Sequence, residues 1–178
     1  MMIEAIYTIG VYHSTEETFF GCLAEARIDT FVDVRDRRGV RGPLYRYANA
    51  AYLQEALRKR GITYLHLREL APPALSGRFS TMSTRSVGGI RHRTKLSQDF
   101  VAAYEHDILS KISAAAILEK IGPQARRIVL FCVEDIPTAC HRSLVAAKLS
   151  AYLKLHAQHL MPAHASDGSG CVQADDAH

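Results

Sequence analysis

The sequence lacks the features that would place it in a membrane or a secreted compartment. No apolar run reaches the roughly 20 residues that a membrane-spanning helix needs, and Met1-Met2-Ile3-Glu4 lacks the basic start of a signal peptide. We therefore expect a cytoplasmic protein with no membrane partner. Its four cysteines have no C-x-x-C spacing, so we expect thiols rather than disulfides in a reducing compartment.

The sequence also lacks the common nucleotide-binding motifs. It contains neither G-x-x-x-x-G-K-[ST] nor G-x-G-x-x-G, so binding of ATP or NAD by those routes is not indicated. A Cys-x5-Arg loop is absent too, because the sixth residue after Cys132 is Thr138 and the sixth after Cys140 is Ala146. The sequence therefore identifies no cofactor.

Positive charge is concentrated in one part of the chain. Residues 35–95 hold fourteen Lys/Arg and three acidic residues, a net of +11, whereas the rest of the chain carries a net of −7. Such a basic face favours a phosphate-bearing small molecule or a nucleic acid as partner. The alternative is a basic surface that is only solvated.

Apolar segments predict a single α/β domain over residues 1–161. Five of them predict strands, at 3–9, 28–34, 62–67, 127–132 and 158–161. Helices are predicted between them, from 15 onward and at 49–60, 97–120 and 138–155. This alternation is typical of a compact three-layer domain, with a mostly parallel central sheet of about five strands and helices on both faces. We predict that residues 68–95 form an irregular basic loop, either a lid or disordered, and that 162–178 form a disordered tail.

Polar residues follow the predicted strands, where a parallel sheet binds its ligands. They are His13, Ser14, Asp33, Arg35, Arg37, Glu134, Cys140, His141 and Arg142. We predict that they meet in one crevice. There, Ser14, Arg35, Arg37 and Arg142 would bind substrate, and His13, Asp33, Glu134, Cys140 and His141 would be the catalytic candidates.

The most informative run is Cys140-His141-Arg142, near the start of the last predicted helix. A helix start favours anions and lowers the pKa of a thiol, so Cys140 is either a nucleophile or metal ligand, or a small buried thiol. Arg142 needs an anionic partner there, which is either a ligand phosphate or the carboxylate of Asp33 or Glu134.

The loop from Arg35 to Gly42 holds four arginines and two glycines, a composition suited to gripping phosphate. Asp33 shares a strand face with Arg35. Asp33 therefore pairs with Arg35, orients a histidine or acts as a base. Tyr45 and Tyr47 either stack on bases or anchor the loop.

We predict no metal site. His13, Cys132, Cys140 and His141 are suitable ligand types, but their spacing is unfamiliar. We expect the adjacent Cys140 and His141 to be unable to ligate one ion easily from a single helix turn.

Taken together, these motifs resemble the domain-of-unknown-function 488 family over about residues 3–161. The pieces that carry the resemblance are Tyr7-Thr8-Ile9-Gly10, His13-Ser14, Asp33-Val34-Arg35, Gly61-Ile62, Tyr64-Leu65-His66-Leu67, Glu69-Leu70, Phe100, Tyr104, Phe131-Cys132-Val133-Glu134 and Cys140-His141-Arg142-Ser143. The resemblance implies an α/β fold with a shared polar site. It implies no established activity.

Three functions are therefore open. The first is an enzyme acting on a phosphate-bearing substrate, a nucleotide or nucleic acid, with His13 or His141 moving the proton and Asp33 or Glu134 orienting it. The second is a nucleic-acid-binding module without chemistry. The third is a sulfur-transfer or redox protein that uses Cys140, with Cys132 as the resolving thiol.

Overall fold

A computed structural model describes residues 3–40, 42–72, 94–163 and 170–175. Its strands are β1 (Ala5–Ile9), β2 (Thr30–Asp33), β3 (Thr63–His66), β4 (Arg127–Phe131), β5 (Ala157–Pro162) and β6 (Cys171–Asp175). Its helices are α1 (Glu16–Glu25), α2 (Ala50–Lys59), α3 (Gln98–Asp107), α4 (Ala114–Ile121) and α5 (His141–Leu153). Short 3₁₀ turns occur at Pro43–Ala48, Arg68–Leu70, Leu109–Lys111 and Pro137–Ala139.

The strands form one sheet in the order β3-β2-β4-β1-β5-β6. All neighbours pair in parallel except β6, which is antiparallel to β5. This confirms the predicted α/β fold with a mostly parallel sheet, extended by a sixth strand. The parallel pairing of β1, β2 and β4 brings their carboxyl ends to one edge.

Each face of the sheet is covered by helices and packs its own apolar core. Side chains alternate along a strand, so Leu130 and Cys132 point toward the core formed with α3, α4 and α5. Phe131 points to the opposite core, which α1 and α2 complete. Residues that are adjacent in sequence at the carboxyl edge of the sheet therefore belong to different cores.

The predicted helix over 97–120 is two helices. Ser97 caps α3, accepting from the Phe100 N–H, but a second cap follows at Ser113, whose side chain accepts from the Ala116 N–H. An N-cap residue has extended backbone, and Ser113 has ψ 155°. The chain therefore cannot continue as one helix through this point.

The last predicted helix also begins later than expected. Pro137–Ala139 forms a 3₁₀ turn, and α5 starts at His141. Cys140 has φ −134° and ψ 142°, so it is the extended N-cap rather than a residue of the first turn. Its side chain makes no capping hydrogen bond, so the thiol does not bind the free N–H groups of the first turn of α5.

Two expectations about the C-terminal part are corrected. Residues 162–178 were expected to be a disordered tail, yet Cys171–Asp175 forms β6, with Cys171 opposite Pro162 of β5. All four cysteines were expected to be thiols, yet Cys171 is disulfide-bonded to Cys22 of α1. Edge pairing carries the short polar β6 across the end of α1, and this brings the two sulfurs together.

Most of the predicted basic loop 68–95 lies outside the described residues, and so does the interpretation of it as a lid. At its described ends, Glu69 and Leu70 lie in a 3₁₀ turn, and the Thr138 hydroxyl donates to the Thr94 carbonyl over 2.7 Å.

Candidate functional site

The loops after β1 and β4 are held together at the carboxyl edge of the sheet. The N–H groups of Val11 and Tyr12 donate to the Val133 carbonyl over 3.2 and 3.1 Å. Gly10 allows this approach, because a Cβ there would lie 1.8 Å from the Glu134 carbonyl oxygen. The edge is therefore a tight junction of two loops.

His13 and Asp135 form a hydrogen-bonded imidazole–carboxylate pair across this junction. The His13 Nδ1 lies 2.6 Å from the Asp135 Oδ2, and the His13 side chain is 49% exposed. His13 has φ 67°, an uncommon left-handed conformation for a residue with a Cβ. Its backbone N–H donates to the Tyr45 hydroxyl over 3.2 Å. An imidazole that a carboxylate orients and solvent reaches can act as a general acid or base.

Beside His13 lies a pocket of about 790 Å³. Its lining residues are His13, Ser14, Thr15, Glu16, Pro43, Leu44, Tyr45, Arg46, Tyr47 and Tyr52. Within it the Tyr52 hydroxyl donates to the Glu16 carboxylate over 2.7 Å, and Arg46 is exposed. The pocket thus combines aromatic rings with a cation, a carboxylate and the His13 imidazole, the mixture that a small-molecule site requires.

Ser14 and Tyr47 form the inner wall of the pocket. The Ser14 hydroxyl donates to the Val11 carbonyl over 2.7 Å, and the Tyr47 hydroxyl donates to the Ser14 carbonyl over 3.1 Å. Burial raises the pKa of Tyr47 to about 12. The sequence left open whether Tyr47 stacks on bases or anchors its loop. Its buried ring and its hydrogen bonds fit the loop anchor.

Asp33 and Arg35 lie buried against each other. The Arg35 guanidinium donates twice to the carboxylate of Asp33, over 2.9 and 2.7 Å, and once to the Ala48 carbonyl over 3.0 Å. It also lies 4.4 Å above the Phe131 ring. The Tyr64 hydroxyl donates to Asp33 over 2.7 Å. Of the three interpretations of Asp33, the geometry is that of the ion pair. Arg37 is exposed on the following loop.

Cys132, Cys140 and His141 cluster on the other face of the sheet. The His141 Nδ1 lies 4.0 Å from the Cys132 sulfur and 3.9 Å from the Cys140 sulfur. Its Nε2 lies 3.0 Å from the Val34 carbonyl. A carbonyl can only accept, so Nε2 carries a proton and Nδ1 is the ring nitrogen that faces both sulfurs.

The two thiols of this cluster ionise differently. Burial opposes the charged form of Cys140, but a hydrogen bond from Cys132 and the positive charge of Arg142 lower the pKa of Cys140 well below its ordinary value. The hydrogen bond to Cys140, together with burial, raises the pKa of Cys132 well above its own. Both side chains are buried, which shields them from large substrates.

Arg142 holds the loop that carries Asp135. It is fully buried and donates from Nη1 to the Glu134 carbonyl and from Nη2 to the Asp135 carbonyl, the latter over 2.8 Å. Its Nε has no hydrogen-bond partner among the described residues. The structure gives Arg142 two backbone carbonyls as partners where the carboxylate of Asp33 or Glu134 was one expectation.

The predicted residues therefore fall into separate groups instead of one crevice. His13 and Ser14 line the pocket, Asp33 and Arg35 pair beneath α2, and Cys140 and His141 pack on the opposite face. Glu134 contributes its carbonyl to Arg142. The sequence did not single out Asp135 or Arg46, although Asp135 adjoins Glu134 and Arg46 lies between the two tyrosines considered for base stacking.

The fold and this edge define a class: a mostly parallel α/β protein with a pocket beyond the strand ends. Among the described residues no helix has the length and apolar character that crossing a membrane would demand. The sequence profile of one family, "Domain of unknown function DUF488", matches residues 15–149. The chain belongs to this family, as the resemblance implied. Comparisons with curated proteins and with solved structures found no match.

Proposed function

We propose that the protein is an enzyme that acts on a phosphate-bearing substrate, a nucleotide or nucleic acid, in the pocket beside His13. The observation that carries the proposal is the 2.6 Å contact between His13 and Asp135 at the mouth of this pocket. His13 is the proton carrier, and Asp135 takes the orienting role that was first considered for Asp33 or Glu134.

The lining of the pocket supports a nucleotide rather than a bare phosphate. Arg46 supplies a guanidinium for phosphate oxygens. The rings of Tyr45 and Tyr52 offer surfaces on which a base can stack. Glu16 would repel a phosphate but accepts hydrogen bonds from sugar hydroxyls or base amino groups. A nucleotide presents all three kinds of group.

The concentration of positive charge favours the same ligand class. Arg37 and Arg46 are exposed in the segment that follows β2, and that segment belongs to the region with a net charge of +11, fourteen basic minus three acidic residues. Clustered cations raise the local concentration of an anionic ligand. The thiol-based alternative is less well supported, because Cys132 and Cys140 are buried away from the pocket.

A binding and turnover assay tests the proposal. The wild-type chain is mixed with nucleoside mono- and triphosphates and a fluorescent single-stranded oligonucleotide. Calorimetry and anisotropy measure binding, and mass spectrometry detects products. We expect binding of at least one probe with turnover, a loss of about 10²–10⁴-fold in turnover for His13→Ala with binding retained, and weaker binding for Arg46→Ala.

Two variants outside the pocket serve as matched controls. His106, 84% exposed, contacts Asp107 over 2.8 Å and so repeats the imidazole–carboxylate pair elsewhere on the surface. Arg58 is an exposed arginine of α2. We expect His106→Ala and Arg58→Ala to behave as wild type. Binding of no probe, or equal turnover by His13→Ala and wild type, would overturn the proposal. Binding without turnover would instead favour the non-catalytic module.

A further inference from the structure

Three ligand atoms of the kind that bind soft metals converge on one point in the core. The sulfurs of Cys132 and Cys140 and a ring nitrogen of His141 all lie within 4.8 Å of one another. Cys132 follows β4, and the other two residues begin α5. The expectation that adjacent Cys140 and His141 cannot face one ion does not hold, because Cys140 is the extended N-cap and its sulfur lies 3.9 Å from the His141 Nδ1.

The spacing is close to that of a tetrahedral zinc site. With Zn–S bonds of about 2.3 Å and Zn–N bonds of about 2.0 Å, a tetrahedral ion separates sulfur from nitrogen by roughly 3.5 Å. The two observed sulfur–nitrogen distances are 4.0 and 3.9 Å. Side-chain shifts of a few tenths of an ångström would therefore bring both sulfur–nitrogen separations to the value of a tetrahedral ion.

The imidazole is already oriented as a metal ligand. Its Nε2–H donates to the Val34 carbonyl over 3.0 Å, which orients the ring so that Nδ1, the nitrogen that would bind a metal, faces the two sulfurs. Metal-bound histidines almost always donate their other ring N–H to such an acceptor. This contact lies outside the ligand triad and so supports the assignment independently of the sulfur positions.

The charges also balance. Two thiolates neutralise a divalent ion, and the imidazole adds none, so the core would hold a neutral complex. Among the described residues the cluster contains three ligands, which leaves the fourth position of a tetrahedral ion to water or a small ligand.

We propose that Cys132, Cys140 and His141 bind one Zn²⁺ ion. The ion joins the end of β4 to the start of α5, one residue before Arg142, whose guanidinium holds the carbonyls of Glu134 and Asp135. The ion would thus stabilise the loop of Glu134 and Asp135 beside the pocket. It goes beyond the proposed enzyme function and does not depend on it.

Metal analysis of untagged, reduced protein tests the site. We expect about one zinc ion per chain after reconstitution, since the three atoms form a single site. We expect Co²⁺ to produce the sulfur-to-metal charge-transfer band and the visible bands of a tetrahedral thiolate site. Zinc should also raise the thermal midpoint, because an ion that binds only the folded state stabilises it. Absence of both the cobalt bands and the thermal shift in wild type would overturn the proposal.

Variants identify the ligands. Cys132→Ser, Cys140→Ser and His141→Gln should each weaken cobalt binding by roughly tenfold or more. The double variant Cys22→Ser/Cys171→Ser removes the disulfide-bonded pair and should keep the wild-type spectrum. Cobalt bands that survive Cys140→Ser, or that vanish in the double variant, would place the metal elsewhere. A Cys132–Cys140 disulfide in freshly purified protein that binds no metal after reduction would show a redox pair instead.

Discussion

The His13 imidazole and the Asp135 carboxylate are 2.6 Å apart, although 122 residues separate them in sequence. The contact exists because β1 and β4 are neighbouring parallel strands, so the loops that follow them leave the same edge. Two further features fix the loops: the small Gly10, which admits the Glu134 carbonyl, and the Arg142 guanidinium, which holds the Glu134 and Asp135 carbonyls.

Asp135→Asn should separate the orienting role of the carboxylate from the fold. The amide has nearly the same shape but no charge, so the Nδ1–H tautomer of His13 loses its favoured acceptor. We expect turnover to fall by about 10²-fold or more, with ligand binding retained and a changed tautomer in the ¹⁵N spectrum of His13. Asp107→Asn, beside the exposed His106, is the control. An unchanged tautomer and rate in Asp135→Asn would contradict a functional pair.

Arg142→Met should destabilise the protein rather than act only on ligand binding. The substitution leaves two backbone carbonyls without their donors, and such a loss costs roughly 2–5 kcal/mol. Urea unfolding measures the change. Arg46→Ala, an exposed residue of the pocket, should unfold as wild type. If Arg142→Met bound no nucleotide yet unfolded like wild type, Arg142 would be a ligand-binding residue, as one of the two sequence interpretations had it.

Gly10→Ala tests the junction of the two loops. Its Cβ would meet the Glu134 carbonyl oxygen at 1.8 Å, and two further backbone atoms lie within 2.9 Å. We expect a loss of about 2 kcal/mol or more, because backbone cannot yield as a flexible side chain does.

Gly21→Ala is the matched control for Gly10. Gly21 lies inside α1 with nothing within 4 Å of an added Cβ, so this change should stabilise the protein by about 0.5–1 kcal/mol. Equal unfolding midpoints for the two variants would show that the loops are not tightly joined at Gly10.

Much of the fold could be predicted because its central strands are apolar runs and three of the described helices begin at a side-chain cap, namely Thr15, Ser97 and Ser113. The end of α2 is also a local signal, because Gly61, just after the C-cap, adopts φ 70°, which glycine tolerates. The division of the predicted helix at Ser113 was also a local signal, since the hydroxyl precedes three alanines. By contrast β6 has a short polar sequence, and its place depends on edge pairing and on the bond from Cys171 to Cys22, which no local pattern encodes.

The candidate site was only partly predictable for a similar reason. The topology indicated that His13 would lie at the functional edge, but the choice between Glu134 and Asp135 as its partner depends on loop conformation. That conformation is set by Arg142, a residue that the sequence assigned to ligand binding. Asp33 and Cys132 lie on opposite faces of the sheet, since Asp33 is in register with Phe131, and the sequence pattern does not predict this register.

Tyr47 and Tyr64 should make the protein lose stability in strong alkali. Burial raises the pKa of each phenol from 10.0 to about 12, and for Tyr64 the neighbouring Asp33 carboxylate adds to the shift. The folded state therefore keeps both protons at a pH where the unfolded chain releases them. The stabilisation is complete below the unfolded pKa of 10.0 and is lost progressively as the pH rises toward 12.

Urea unfolding at a series of pH values measures this loss. Each of the two groups lowers the free energy of unfolding by up to about 1.4 kcal/mol per pH unit between the two pKa values. Tyr47→Phe and Tyr64→Phe should each make the free energy of unfolding fall less steeply with pH, and the double variant should do so further. This holds whatever stability each variant loses at neutral pH. Spectrophotometric titration should show one late-ionising phenol fewer in each single variant than in the wild-type protein, in which burial also raises the pKa of Tyr104. A slope that the double variant leaves unchanged would mean that other groups cause the alkaline unfolding.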